Sequence, residues 1–156
     1  MTLAPTGGQE QGYRLGTENL PGALGFAAAL EARRGWLGRA EDLRAHLDAS
    51  IEREGGTVVA RGASRFPAIG SYRMPGVAAT AQLIQFDMAG IAVSAGSACS
   101  SGSLKPSHVL AAMGWSEEAS REVIRVSFGP GTNRTEIWRF AELWARFARD
   151  ARARAA

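Results

Sequence analysis

The chain has 156 residues, 46% of them hydrophobic, with a formal net charge of +3 at pH 7. That length and apolar content suit one globular domain, or a domain with an extension, and exclude a disordered segment. The basic surplus is arginine alternating with acid, beside a single lysine, Lys105, which argues against a nucleic-acid partner. One cysteine, Cys99, excludes an intramolecular disulfide, and with only His46 and His108 beside it no structural metal site is expected. No apolar run of about 18 residues crosses the chain and no leader opens it, so a cytoplasmic protein without membrane contact is expected.

Residues 1–19 are rich in glycine and polar residues and read as an extended loop. Asn19 before Leu20 and Pro21 reads as a helix cap, since its side chain accepts orphan N–H groups and proline tolerates the first turn. From about Leu20 to Glu54 the apolar spacing is helical, with Gly35-Trp36-Leu37-Gly38 as a point of bending or division. Thr57 to Ala60 and Ala68 to Met74 read as short strands separated by glycine and proline. Val77 to Met88 reads as a helix, Gly90 to Val93 as a short strand, and Ser94 to Ser103 as a loop. Short helices are expected over Pro106 to Met113 and Ser116 to Glu122. Val123 to Phe128 alternates as a strand. Thr132 to Arg152 forms a last helix with Ile137, Phe140, Leu143, Trp144 and Phe147 on one face. The expectation is an α+β unit of residues 55–156 preceded by a long helix over 20–54.

The loop Ser94-Ala95-Gly96-Ser97-Ala98-Cys99-Ser100-Ser101-Gly102-Ser103 holds no bulky or charged side chain. Such a loop leaves a thiol open to reagents, and its hydroxyls and N–H groups can stabilise the reactive thiolate. Free cysteine is also commonly buried and inert, so composition leaves both readings open.

Residues 94–110, SAGSACSSGSLKPSHVL, resemble the active-cysteine segment of cysteine desulfurases of the NifS/IscS type, within the class V aminotransferase family. Residues 7–19, GGQEQGYRLGTEN, and 124–129, IRVSFG, are similar to two further segments of that family, in the same order. The resemblance covers nearly the whole chain and implies the small domain of a type I pyridoxal-phosphate fold, with a cofactor and interface loop before it. It implies an enzyme that uses pyridoxal phosphate to make the sulfur of L-cysteine electrophilic, with Cys99 attacking to take the sulfur as a persulfide and alanine released. It implies that Arg125 holds the substrate carboxylate, where a planar fork is better suited than lysine. Without the resemblance Arg125 reads as a surface strand arginine. Thr17 is implied as a contact to the cofactor phosphate across a subunit interface; its other reading is a helix-entry cap. His108 is expected to anchor its loop.

Gln11 stands where the family has arginine, and Lys105 where some members carry glutamate or glycine. The family's cofactor lysine, its stacking histidine and its ring-nitrogen aspartate precede the segments matched here. The expectation is therefore a split-enzyme subunit or a fragment that needs a large-domain chain, assembled as a dimer or heterotetramer. A sulfur acceptor or iron–sulfur scaffold protein is the expected downstream partner. A cofactor-free sulfur carrier or redox protein using Cys99 is the alternative, and a non-catalytic element binding a complete desulfurase is a third.

Overall fold

The computed structural model describes residues 9–13, 16–32, 35–96 and 107–155. The chain divides into two compact units, residues 1–34 and 35–156.

In the first unit, residues 9–12 form a 3-10-type turn where an extended loop is expected from sequence. Helix α1 follows, Leu20–Glu31. Its start is specified locally. Asn19 accepts a hydrogen bond from the Gly22 N–H at 3.0 Å, and Pro21 occupies the first turn, where a missing N–H costs nothing. Apolar on most of its circumference, α1 has no buried residue.

The second unit is built on a four-stranded antiparallel sheet in the order β1-β2-β4-β3, with β1 Thr57–Val58, β2 Ile69–Arg73, β3 Ser94–Ala95 and β4 Val123–Ser127. Its helices are α2 Trp36–Arg53, α3 Ala79–Met88, α4 His108–Ala112, α5 Glu117–Ser120 and α6 Arg134–Ala155. The helical pattern over 20–54 is thus realised as two helices, with the second packed in this unit against α6. The strand expected at Gly90 to Val93 lies instead at Ser94 and Ala95, the first two residues of the expected loop. Pairing with β4 recruits them, overriding the weak strand preference of serine and alanine.

One face of the sheet is covered. Tyr72 from β2 and Ile124 and Val126 from β4 meet Leu47 and Ile51 of α2, Phe86 of α3 and Phe140, Trp144 and Phe147 of α6. Phe86 stacks on Phe140 with ring centroids 4.6 Å apart and meets Phe147 edge-on at 5.1 Å. The long apolar stripe of α6 supplies most of these rings, and a reciprocal cap starts that helix. Asn133 Oδ1 accepts from the Glu136 N–H, and Glu136 Oε2 accepts from the Asn133 N–H. The other face carries a smaller apolar cluster of Val59, Leu110 and Val123, with Trp115 against it. That cluster seats α4 and leaves the sheet open beyond Val123.

Candidate functional site

Alternation along β4 decides which side chains reach the open face. Ile124 and Val126 point into the core, so Val123, Arg125 and Ser127 share the opposite face. The register places Arg125 directly opposite Ser71 on β2 and Ser94 on β3. Arg125 therefore stands in the middle of a three-strand row.

A cleft of about 730 Å³ opens over Arg125 and Ser71. Arg125 and Ser71 lie on its floor, α4 with His108 and Val109 forms one wall, and the loop after β1 with Arg65 and Phe66 forms another. The two residues that flank segment 97–106, Gly96 and Ser107, also line it. Ser107 fixes the start of α4, its hydroxyl accepting from the Leu110 N–H.

The wall after β1 is clamped from beneath. Asp48 on α2 is 1% exposed and accepts from Arg65 Nη2 at 2.6 Å and from the Tyr72 hydroxyl at 2.9 Å. Arg44 donates to the carbonyl oxygens of Arg65 and Phe66 at 3.2 and 2.6 Å. Burial first, and then the Asp48 charge, push the Tyr72 hydroxyl far above its ordinary pKa, so it remains a donor. Gly70 is obligatory beside this network: a Cβ there would lie 2.1 Å from the Tyr72 hydroxyl oxygen, because the ring folds back over the glycine. Ala60, in the same loop, adopts a left-handed backbone at φ 54°.

Arg125 contrasts with the other described arginines. Each of those donates to a carbonyl, pairs with a carboxylate or lies over an aromatic ring, as Arg39, Arg73 and Arg134 do. Among the described residues Arg125 has no such partner and is exposed to the cleft. The sequence expectations thus meet in part. Arg125 and His108 come together in one cleft. Thr17 belongs to the first unit, where it is exposed between Gly16, at φ 75°, and the cap Asn19. Cys99 and Lys105 lie in segment 97–106, outside the described residues. Ser71, Arg65 and Phe66 were not singled out from sequence; only the register and the folded-over loop bring them to Arg125.

Among the described residues no cluster of three metal-ligating side chains occurs, and no helix is long and apolar enough to cross a membrane. The cleft is equally informative about pyridoxal phosphate. It presents a cation for a carboxylate, but its described lining contains neither a lysine nor a carboxylate for a pyridine nitrogen. The cleft residues alone do not fit that cofactor.

An antiparallel sheet with helices on one face and a cleft on the other is the α+β arrangement expected from the sequence. Residues 4–140 match the family model for class-V aminotransferases, and the chain belongs to that family. It is 37% identical over 139 residues to a putative cysteine desulfurase, IscS 1, of Bacillus subtilis, aligning 84% of this chain with 36% of the relative. It is 41% identical over 155 residues to a cysteine desulfurase of Frankia, covering 92% of this chain and 36% of that one. The crystal structure of a NifS-like protein from Rickettsia africae superposes with a TM-score of 0.80 at 28% identity, over 96% of this chain and 40% of that chain. The chain spans about 36% of the length of the first of these relatives.

Proposed function

We propose that this chain is the sulfur-accepting part of a cysteine desulfurase. Sulfur from L-cysteine passes to Cys99 as a persulfide and alanine leaves. The observation that supports this reading best is Arg125, which has no hydrogen-bond or ion-pair partner among the described residues, in a cleft lined also by Gly96 and Ser107. A guanidinium free of intramolecular partners suits a carboxylate ligand, which it grips with two parallel hydrogen bonds. The Cys99 thiolate is the nucleophile that the reaction needs.

Pyridoxal phosphate, when bound, supplies the electron withdrawal that makes the substrate sulfur electrophilic. Its lysine comes from a large-domain segment or chain outside these cleft residues. Thr17 is proposed as a phosphate contact through its hydroxyl. In this reading residues 1–19 form a cofactor and interface loop, α1 connects it onward, and residues 35–156, with α2 in the core, form the small domain. The assembly is a dimer or heterotetramer that passes sulfur to an acceptor or iron–sulfur scaffold protein. A cofactor-free sulfur carrier would have no use for the cation at Arg125.

The test is to isolate the chain with its bound partners from its host, supply L-cysteine, and measure both alanine and the Cys99 persulfide by alkylation and mass spectrometry. Cys99→Ser should form no persulfide while cofactor content is unchanged. Undiminished sulfur transfer by that variant would remove Cys99 from the mechanism.

A further inference from the structure

Two serines stand on either side of Arg125, one on each neighbouring strand: Ser71 on β2 and Ser94 on β3, both directly opposite it in register. Side chains directly opposite on one sheet face have Cβ atoms about 4.5–5.5 Å apart. Serine is a weak strand former, and positions flanking a cation on an open sheet would accept valine or threonine as readily. Neither hydroxyl has a hydrogen-bond partner among the described residues. Among the described residues, packing and local hydrogen bonding therefore leave this Ser-Arg-Ser row without an intramolecular purpose.

We propose that Ser71 and Ser94 complete a carboxylate site with Arg125, each hydroxyl donating one hydrogen bond to the same anion. The inference rests on the reading of Arg125 as the substrate-carboxylate group. A carboxylate offers about four lone-pair sites, and a guanidinium fork fills two of them in one plane. Two hydroxyls from adjacent strands supply the remaining donors without adding charge. One cation with two neutral donors matches a monoanion; a phosphate dianion would leave one charge uncompensated. The row also fixes orientation. A carboxylate held from both sides lies along the strand-to-strand direction, which leaves the rest of the ligand pointing out of the sheet into the cleft. The donors belong to three strands of one sheet, so the geometry exists before a ligand arrives.

The experiment uses the full 156-residue chain, labelled with ¹⁵N-arginine, and follows the Arg125 Nε–H resonance during titration with L-cysteine at constant ionic strength. Sodium acetate serves as a second probe and sodium chloride as the control. Ser71→Ala and Ser94→Ala should each weaken binding roughly threefold to tenfold, the share of one neutral hydrogen bond. The double variant should weaken it further, and Ser71→Thr, which keeps the hydroxyl, should bind close to wild type. Unchanged thermal midpoints establish that these variants are folded. If the Arg125 resonance shifts with L-cysteine and acetate but both serine variants bind like wild type, the serines are overturned and the arginine stands. If the wild-type chain responds to neither probe beyond the chloride control, the row is overturned together with the carboxylate role of Arg125.

Discussion

Strand β4 shows two sheet faces with opposite designs. On the covered face, Ile124 and Val126 lie under Trp144 and Phe86, and the buried carboxylate of Asp48 is paired with Tyr72 and Arg65. On the open face, Arg125 is a charge with no described partner between two serines. A single residue of offset along the strand separates the two environments. One face lowers the free energy of the fold, while the other leaves donors unmet among the described residues, where the proposed carboxylate would meet them. Stability and binding should therefore respond to different substitutions.

The largest effect belongs to the covered face. Trp144→Ala should destabilise the chain by ~3–5 kcal/mol, since an aromatic side chain is fully removed from a close-packed site. Urea unfolding measures it. Asp48→Ala should cost about 3 kcal/mol, because it leaves the Arg65 guanidinium, only 12% exposed, without its counter-charge. That variant should also loosen the cleft wall carrying Phe66, seen as faster amide exchange there. Gly70→Ala should cost ~1–3 kcal/mol by driving Tyr72 off its position. Arg125→Ala should change stability by less than about 0.5 kcal/mol, as surface substitutions do. It should raise the apparent KM for L-cysteine in the assembled enzyme by roughly tenfold or more, the loss of charge-assisted hydrogen bonds. A large stability loss for Arg125→Ala would erase the contrast between the faces.

The smallest effect is a pH slope. His46 stacks on Trp138 with ring centroids 3.5 Å apart, and partial burial, with Arg53 and Arg134 nearby, lowers its pKa below 6.5. The unfolded chain then binds the proton more readily than the folded one. Stability should decline as pH falls through 6.5 and level off below the folded pKa. His46→Gln should flatten that part of the profile, measured as the thermal midpoint between pH 5 and about 8.

Much of the covered face was legible in the sequence. The apolar spacing of Leu43, Leu47 and Ile51, and of Ile137, Phe140, Trp144 and Phe147, identifies the buried stripes of α2 and α6. The alternation of Val123 to Phe128 marks β4 and so turns Arg125 to the other face. The Asp48, Arg65 and Tyr72 network was not legible, because its members lie on three separate elements and no local period links them. Ser71 was hidden for the same reason, its significance residing in register. Sequence places this strand at Gly90 to Val93 and not at Ser94 and Ala95, because apolar Ile91 and Val93 carry the stronger intrinsic signal. The spacing of Leu20, Leu24 and Leu30 marks a helix, but helical spacing does not say what covers it.

That last point makes α1 an intrinsic reporter. A twelve-residue helix with two glycines and no buried side chain lies near the helix–coil balance in water, whatever its cap contributes. Its amides should exchange within the dead time of a manual experiment in the isolated chain, while those of β4 wait for global unfolding. Protection appearing at Leu24 to Leu30 on adding a partner would then be a footprint of assembly, read residue by residue without any assay of catalysis.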